Sequence, residues 1–398
     1  MNKKLLKTNW KILRPLANFL VRKYQHLPED FYPQKILAVR IQGAGDVLLT
    51  TPALRSLRHR FPEAEIHYLV GELASEMVKN NPDVDVVISV PESVLFTGSA
   101  KQKLPLIKKL RAGKYDLAVN FSRSAGLHTF VSACKIPFRV GIDKNGSGAM
   151  LHLPVTLSGN IRYEALDYLE LVHAMGGADQ GINLKLLITS RDEQEAKAIL
   201  RYAGLDESVP YGVLSVGGGR NAGWEVPQKR WRLSNFMEVA KGLDMPLIIV
   251  GDTHDRKEVV SSFSNLDKVF NLCGKLSLMN TAAIVKHAEF LVTNDTVTLH
   301  FAVALGTPTV ALFGPTHPKV ILPSDSRNVR VIQGKLPCVP CFWQGMSSHV
   351  SNFGDANFPG CPRSSDKSPC LDTISPTEVL DTISGLLTSR GNGNSNGK

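Results

Sequence analysis

The amino-acid sequence predicts an α/β protein with two doubly wound domains facing each other across a central cleft. Three observations carry this. Short apolar runs rich in Val, Ile and Leu alternate with helical patterns almost throughout, as in parallel sheets covered on both faces. The alternation stops at Gly176-Gly177 and restarts at Tyr211, so it comes as two successive runs. At 398 residues the chain has room for two full cores.

In chain order, residues 1–34 are expected to form a basic amphipathic helix. Residues 1–40 hold nine Lys or Arg against Glu29 and Asp30. Leu6, Trp10, Leu13, Ala17, Leu20 and Tyr24 make an apolar stripe at helical spacing, with Lys7, Lys11, Arg14 and Arg22 on another face. Such a helix suits the surface of an anionic membrane. It suits packing on its own domain or on a second subunit equally well.

The first domain, 35–178, is expected to take strands Ile36–Ile41, Ile66–Val70, Val84–Val90, Tyr115–Phe121 and Phe138–Ile142. Helical stretches Leu54–Phe61, Leu73–Lys79, Leu104–Leu110 and Gly126–Cys134 lie between them, and Tyr163–Met175 closes the run. A linker, 179–208, carries the polar helix Arg191–Tyr202. The second domain, 209–375, takes strands Tyr211–Val216, Pro246–Val250, Lys268–Leu272, Phe290–Thr293 and Thr309–Phe313. Its helices are Leu233–Leu243, Asp255–Phe263, Leu278–Lys286 and Val297–Leu305, with a Cys-rich loop at 338–370. A last helix spans 376–390, and the Gly/Asn-rich tail 391–398 is expected to be disordered.

Charged residues at 21% and hydrophobic ones at 43% are ordinary for a globular domain. No apolar run reaches transmembrane length and no signal peptide is visible, so a cytoplasmic location is expected. The net charge of +10 raises the question of nucleic acid, but no basic-aromatic platform or binding motif accompanies it.

The residues suited to chemistry follow the strands. Asn294-Asp295-Thr296 separates a strand from a helix, and Asp295 or Thr296 is placed to cap that helix. Its free N–H groups and dipole make a seat for a phosphate, with His300 one turn further on. Gly43-Ala-Gly45-Asp46 follows the first strand, where a doubly wound sheet binds ligands. Its glycines allow a tight turn, and Asp46 offers a carboxylate able to take a proton. Capping of the helix containing Thr50–Leu54 is the competing role for Asp46. Val216-Gly-Gly218-Gly exposes backbone N–H groups to a phosphate, and Lys229 or Arg230 could neutralise it. Asp252, in Gly251-Asp-Thr-His-Asp255, suits a ribose hydroxyl but more readily a helix cap. Arg123, Arg139 and the loop around Lys144 could grip ligand phosphates or be surface charges. Cys338-x2-Cys341, with Cys361 and Cys370, suggests a structural zinc or another soft metal; four reduced thiols are the alternative.

Together these segments resemble glycosyltransferase family 9, the bacterial lipopolysaccharide heptosyltransferases, over roughly residues 35–390. Ile36–Arg40, Gly45-Asp46 through Arg55, and Phe61-Pro62 are similar to the family's opening block. Lys229-Arg-Trp231, Asn271–Gly274, Asn294-Asp-Thr296 with His300, Ala311–Thr316 and Ile374–Glu378 resemble its second-half motifs. The resemblance implies a GT-B architecture of two Rossmann-like domains, with the final helix returning to the first. It implies an inverting transferase that uses a nucleotide-diphosphate sugar, ADP-heptose above all, and no catalytic metal. The implied acceptor is a lipopolysaccharide core or related glycolipid at the inner-membrane surface. Asp46 matches the catalytic base, and Lys229, Asp295 and Thr296 match donor-binding positions, to which Gly45, Gly218 and His300 are added as neighbours. Val297 stands where the family usually has Gly, which bears on donor fit. The alternatives are a nicotinamide-dependent oxidoreductase, against which the incomplete glycine fingerprint after Ile41 counts, and a non-catalytic glycolipid- or nucleotide-binding relative.

Overall fold

Apolar runs without polar alternation become parallel strands sealed on both faces. The computed structural model describes residues 19, 21–206, 208–218, 220–221, 224–341, 361 and 368–393. They divide into two units, one ending at Lys185 and the other beginning at Leu186.

The first unit contains β1 (Lys35–Val39), β2 (Glu65–Gly71), β3 (Val86–Val90), β4 (Leu117–Asn120), β5 (Phe138–Asp143) and β6 (Leu153–Thr156). All pair in parallel, in the order β3-β2-β1-β4-β5-β6. Ile36 to Val39 of β1 are wholly buried because helices cover both sides of the central strand. On one side, Leu106 and Leu110 of helix Ala100–Ala112 and Phe130 and Val131 of helix Ala125–Ala133 pack on Leu37, Val39 and Leu69. Ser99 and Gln102 start the first of these helices with a reciprocal capping box. Helices Thr51–Arg60 and Glu164–His173 pack on each other.

The second unit repeats the plan with β7 (Gly212–Ser215), β10 (Leu247–Val250), β11 (Val269–Asn271), β12 (Phe290–Asn294), β13 (Thr309–Phe313) and β14 (Val329–Gln333). These six are parallel, in the order β11-β10-β7-β12-β13-β14. A small antiparallel pair, β8 (Arg220–Asn221) and β9 (Trp224–Glu225), branches off after β7. Phe236 and Val239 of helix Leu233–Lys241 and Val259 of helix Asp255–Phe263 fill the core beside Ile249, Val292 and Leu312.

The structure differs from the sequence-based expectations in three places. The edge strands β6 and β14 were not anticipated, since each is half-covered and lacks a continuous apolar run. Within the expected N-terminal helix, residues 21–34 are irregular and tied to the first unit, while most of the helix lies outside the described residues. Lys23 Nζ donates to the carbonyls of Gly148, Ala149 and Leu151 at 3.2, 2.7 and 2.7 Å, and the Tyr24 ring packs 5.2 Å from that of Phe138. The expected linker is divided between the units. Its first part is held by Arg55, Ser56 and Thr51, and helix Ser190–Tyr202 packs on helix Leu278–Lys286. The last helix, Pro376–Gly393, buries Val379, Ile383 and Leu386 in the core of the second unit.

Candidate active site

In both sheets the strand order reverses beside the first strand, between β1 and β4 and between β7 and β12. Loops at the carboxyl ends of those strands are where doubly wound sheets bind ligands. In the first unit, Gly43 turns the chain with φ +81°, and helix Ala44–Leu49 begins at once, carrying Gly45 and Asp46 in its first turn. A Cβ on Gly43 would lie 2.2 Å from Asp46 Oδ2, so the carboxylate folds back over a position that only glycine can occupy. The capping role for Asp46 is not found. The next helix, Thr51–Arg60, starts without a side-chain cap, and Asp46 already lies within the preceding one.

The Asp46 carboxylate is paired with Arg40, Nη2 to Oδ2 at 2.7 Å. Around this pair lies a buried ionic group that the sequence reading missed. Arg123, in the loop after β4, holds Glu164 at 2.7 Å and Asp167 at 2.8 Å, and the Tyr168 hydroxyl donates to Glu164 at 2.9 Å. Arg162 closes the ring on Asp167 and Glu170, each at 2.9 Å. Burial alone would raise the Glu164 carboxyl, but the guanidinium groups of Arg123 and Arg40 outweigh it and hold Glu164 below the usual carboxylate range. For Asp167 burial wins and its carboxyl is raised. Burial lifts the Tyr168 phenol well above its ordinary value. The clearest sequence signal for this group was the spacing of Glu164, Asp167, Tyr168 and Glu170 on one helix. Arg123 is thereby committed to carboxylates, and Arg139 donates to the carbonyls of Met150 and Ile136 at 2.8 and 2.6 Å. Both arginines brace the unit.

In the second unit, Thr296 rather than Asp295 caps helix Val297–Leu305, its Oγ1 accepting the Thr298 N–H at 3.3 Å. Asp295 stands just before the cap, ion-paired with Lys229 at 2.7 Å, and both side chains are largely buried. The structure therefore brings together the two candidate donor-binding charges. Without Lys229, the Asp295 carboxylate would repel a phosphate approaching that helix end. Gly218, at φ +146°, passes so close that a Cβ would meet Thr296 Cγ2 at 2.6 Å. Asn294 ties the surrounding loops. It accepts the Trp231 N–H at 3.0 Å and donates to the carbonyls of Val216 and Gly217 at 3.2 and 2.9 Å. His300 is buried within the same helix. Asp252 accepts the N–H groups of His254 and Asp255 at 2.7 and 3.1 Å, which makes it a helix-start residue.

Cys338, Cys341 and Cys361 are partly buried, Cys370 is buried, and all are free thiols. Burial, with Cys338 and Cys361 nearby, pushes the Cys341 thiol up. Burial takes Cys370 to about 11, with smaller upward pushes from Cys341 and Cys361. Among the described residues no three His, Cys, Asp or Glu side chains converge as a metal ion requires.

The sequence pattern of glycosyltransferase family 9 (heptosyltransferase) matches residues 104–349, more than half of the chain. The lipopolysaccharide heptosyltransferase 2 of Salmonella typhimurium is 26% identical over 378 residues, covering 90% of this chain and 99% of its own. The fold is similar to that of E. coli ADP-heptose lipopolysaccharide heptosyltransferase II, with a TM-score of 0.69 at 20% identity, covering 90% of this chain and 99% of the other. An E. coli heptosyltransferase solved with ADP-2-deoxy-2-fluoro heptose matches with a TM-score of 0.62 at 18% identity, over 88% of this chain and 99% of its own. These matches leave no ground for the oxidoreductase reading. The paired doubly wound units are those of a GT-B enzyme, and the chain belongs to glycosyltransferase family 9.

Proposed function

We propose that this protein is an inverting glycosyltransferase that moves heptose from ADP-heptose onto a lipopolysaccharide core or a related envelope glycolipid. The observation that carries the reading is the Asp46 carboxylate, partly exposed at the switch point of the first sheet and pinned by Arg40. Asp46 takes the proton of the acceptor hydroxyl as that oxygen bonds to the anomeric carbon. The bond from that carbon to the diphosphate breaks on the opposite face, through an oxocarbenium-like transition state. Negative charge then grows on the departing diphosphate. Lys229 and the N–H groups that open helix Val297–Leu305 are the fixed positive groups suited to meet it. Gly218 packs against Thr296, which caps that helix, and His300 lies buried within it. The test is release of ADP when ADP-heptose and a heptose-acceptor glycolipid are mixed with the protein. No release with any acceptor and a full panel of nucleotide sugars would favour the non-catalytic reading.

The same proposal has the enzyme at the cytoplasmic face of the inner membrane, supported by the basic excess of residues 1–40. No helix among the described residues is long and apolar enough to cross a membrane. Co-sedimentation with phosphatidylglycerol vesicles but not phosphatidylcholine vesicles is expected, and equal behaviour with both would refute it. A structural zinc or other soft metal at Cys338, Cys341, Cys361 and Cys370 is supported by the Cys-x2-Cys spacing alone. Elemental analysis of the purified protein, with the four cysteines replaced in turn, tests it.

A further inference from the structure

Behind Asp46 stands a set of charges that the transfer step, as described, does not use. Arg40 directly follows β1, with its guanidinium carbon 5.8 Å from the centre of the Tyr168 ring. Its side chain is 14% exposed against 29% for Asp46, so the arginine lies deeper than the carboxylate it holds. Glu164, 9% exposed, pairs with Arg123 and accepts the Tyr168 hydroxyl at 2.9 Å. Arg40 and Glu164 thus meet the same Tyr168 side chain, one at its ring and the other at its hydroxyl.

A carboxylate paired only with a buried arginine is a reluctant base, because taking a proton strands the cation without a partner. A second carboxylate nearby removes that obstacle. We propose that Arg40 is a positioning residue for Asp46, and that Glu164 is the counter-charge that keeps Arg40 compensated while Asp46 carries the acceptor's proton. The pair engages Oδ2 and leaves Oδ1 to meet the acceptor hydroxyl. The inference rests on Asp46 being the base of the transfer reaction.

The other groups in reach of Asp46 do not disturb this balance. Tyr68 of β2 and Tyr168 of helix Glu164–His173 act on it, but burial raises both phenols and keeps them neutral through the working pH range. Arg123, Asp167, Arg162 and Glu170 form the outer ring and are matched with one another. Arg40 and Glu164 remain as the inner charges behind Asp46.

The two residues should therefore act in opposite directions. The full-length protein is assayed for the pH dependence of kcat/KM, with ADP-heptose and a glycolipid acceptor, as wild type, Arg40→Gln, Arg40→Lys, Glu164→Gln and Asp46→Asn. Removing the cation in Arg40→Gln should move the acid limb up by about one pH unit and lower kcat by about 10–100-fold, with donor KM nearly unchanged. Arg40→Lys should restore most of the rate and return the limb. Glu164→Gln should move the acid limb down, because Arg40 then bears on Asp46 alone. Limbs that move the same way in both variants, or that stay at the wild-type pH, overturn the proposal. Should Arg40→Gln not fold, as its melting curve would show, the direction of the limb in Glu164→Gln decides. Normal turnover in Asp46→Asn refutes the base itself. Lost turnover there, with unmoved limbs in the other variants, refutes only the roles of Arg40 and Glu164.

Discussion

The two units share one strand order, and their switch points could hardly differ more in chemistry. The first is crowded with ions: Arg40 with Asp46, and Arg123 with Glu164 and Asp167, Glu164 buried and the others partly so. The second holds the Lys229–Asp295 pair among glycines, hydroxyls and the open end of a helix. Topology therefore decides where a ligand meets each sheet, and side chains decide what can be done there. On the mechanism proposed above, the charged lattice holds one carboxylate for proton transfer, and the backbone-lined helix start accepts the diphosphate.

Breaking the first switch point should have the largest effect. Asp46→Asn is expected to lower kcat by about two to four orders of magnitude, while ADP-heptose still raises the melting temperature by mass action. Loss of both would mean that the two regions are not chemically separate. Glu164→Gln removes one partner of a buried pair and should destabilise the protein by about 3 kcal/mol at neutral pH. Glu164 has its folded value held below its unfolded one, so its contribution is complete above the unfolded value and fades as pH falls through the folded one. The stability gap between wild type and Glu164→Gln, read from urea unfolding, should therefore be steady above about pH 6 and shrink below about pH 5. A gap independent of pH would show that packing, not charge, makes Glu164 important.

The second switch point should respond in binding. Lys229→Met is expected to weaken ADP-heptose binding by about 10–100-fold and to destabilise the unit by leaving Asp295 uncompensated. Adding Asp295→Asn should recover the stability but not the affinity, which calorimetry and melting curves read separately. Recovery of both would reduce the pair to a structural brace. The smallest effect is Thr296→Ala, a lost cap worth about 1 kcal/mol in thermal unfolding. A loss of several kcal/mol would point instead to the hydroxyl chain through Thr298 and Ser215, which are linked at 2.8 Å.

Much of this was legible in the chain. The inner strands announced themselves as unbroken apolar runs because both their faces are buried. Gly43, Gly218, Asp295 and Thr296 stood out because turns and helix starts are local events, governed by neighbours in sequence. Edge strands β6 and β14 escaped because one face meets solvent and blurs the pattern. Whether the cysteines form a ligand set is likewise a matter of spatial convergence, which spacing alone does not supply.

The sequence by itself determined the two doubly wound sheets, the family, and the loops that carry Asp46 and Asp295-Thr296. These follow from periodicity and short-range turn chemistry, which are written in consecutive residues. Only the tertiary structure decided that Arg40 holds Asp46, that Glu164 stands behind them, that Lys229 meets Asp295, and that the last helix packs into the second unit. Those contacts join residues tens to more than a hundred positions apart or depend on how deeply a side chain is buried, and burial is a property of the folded chain.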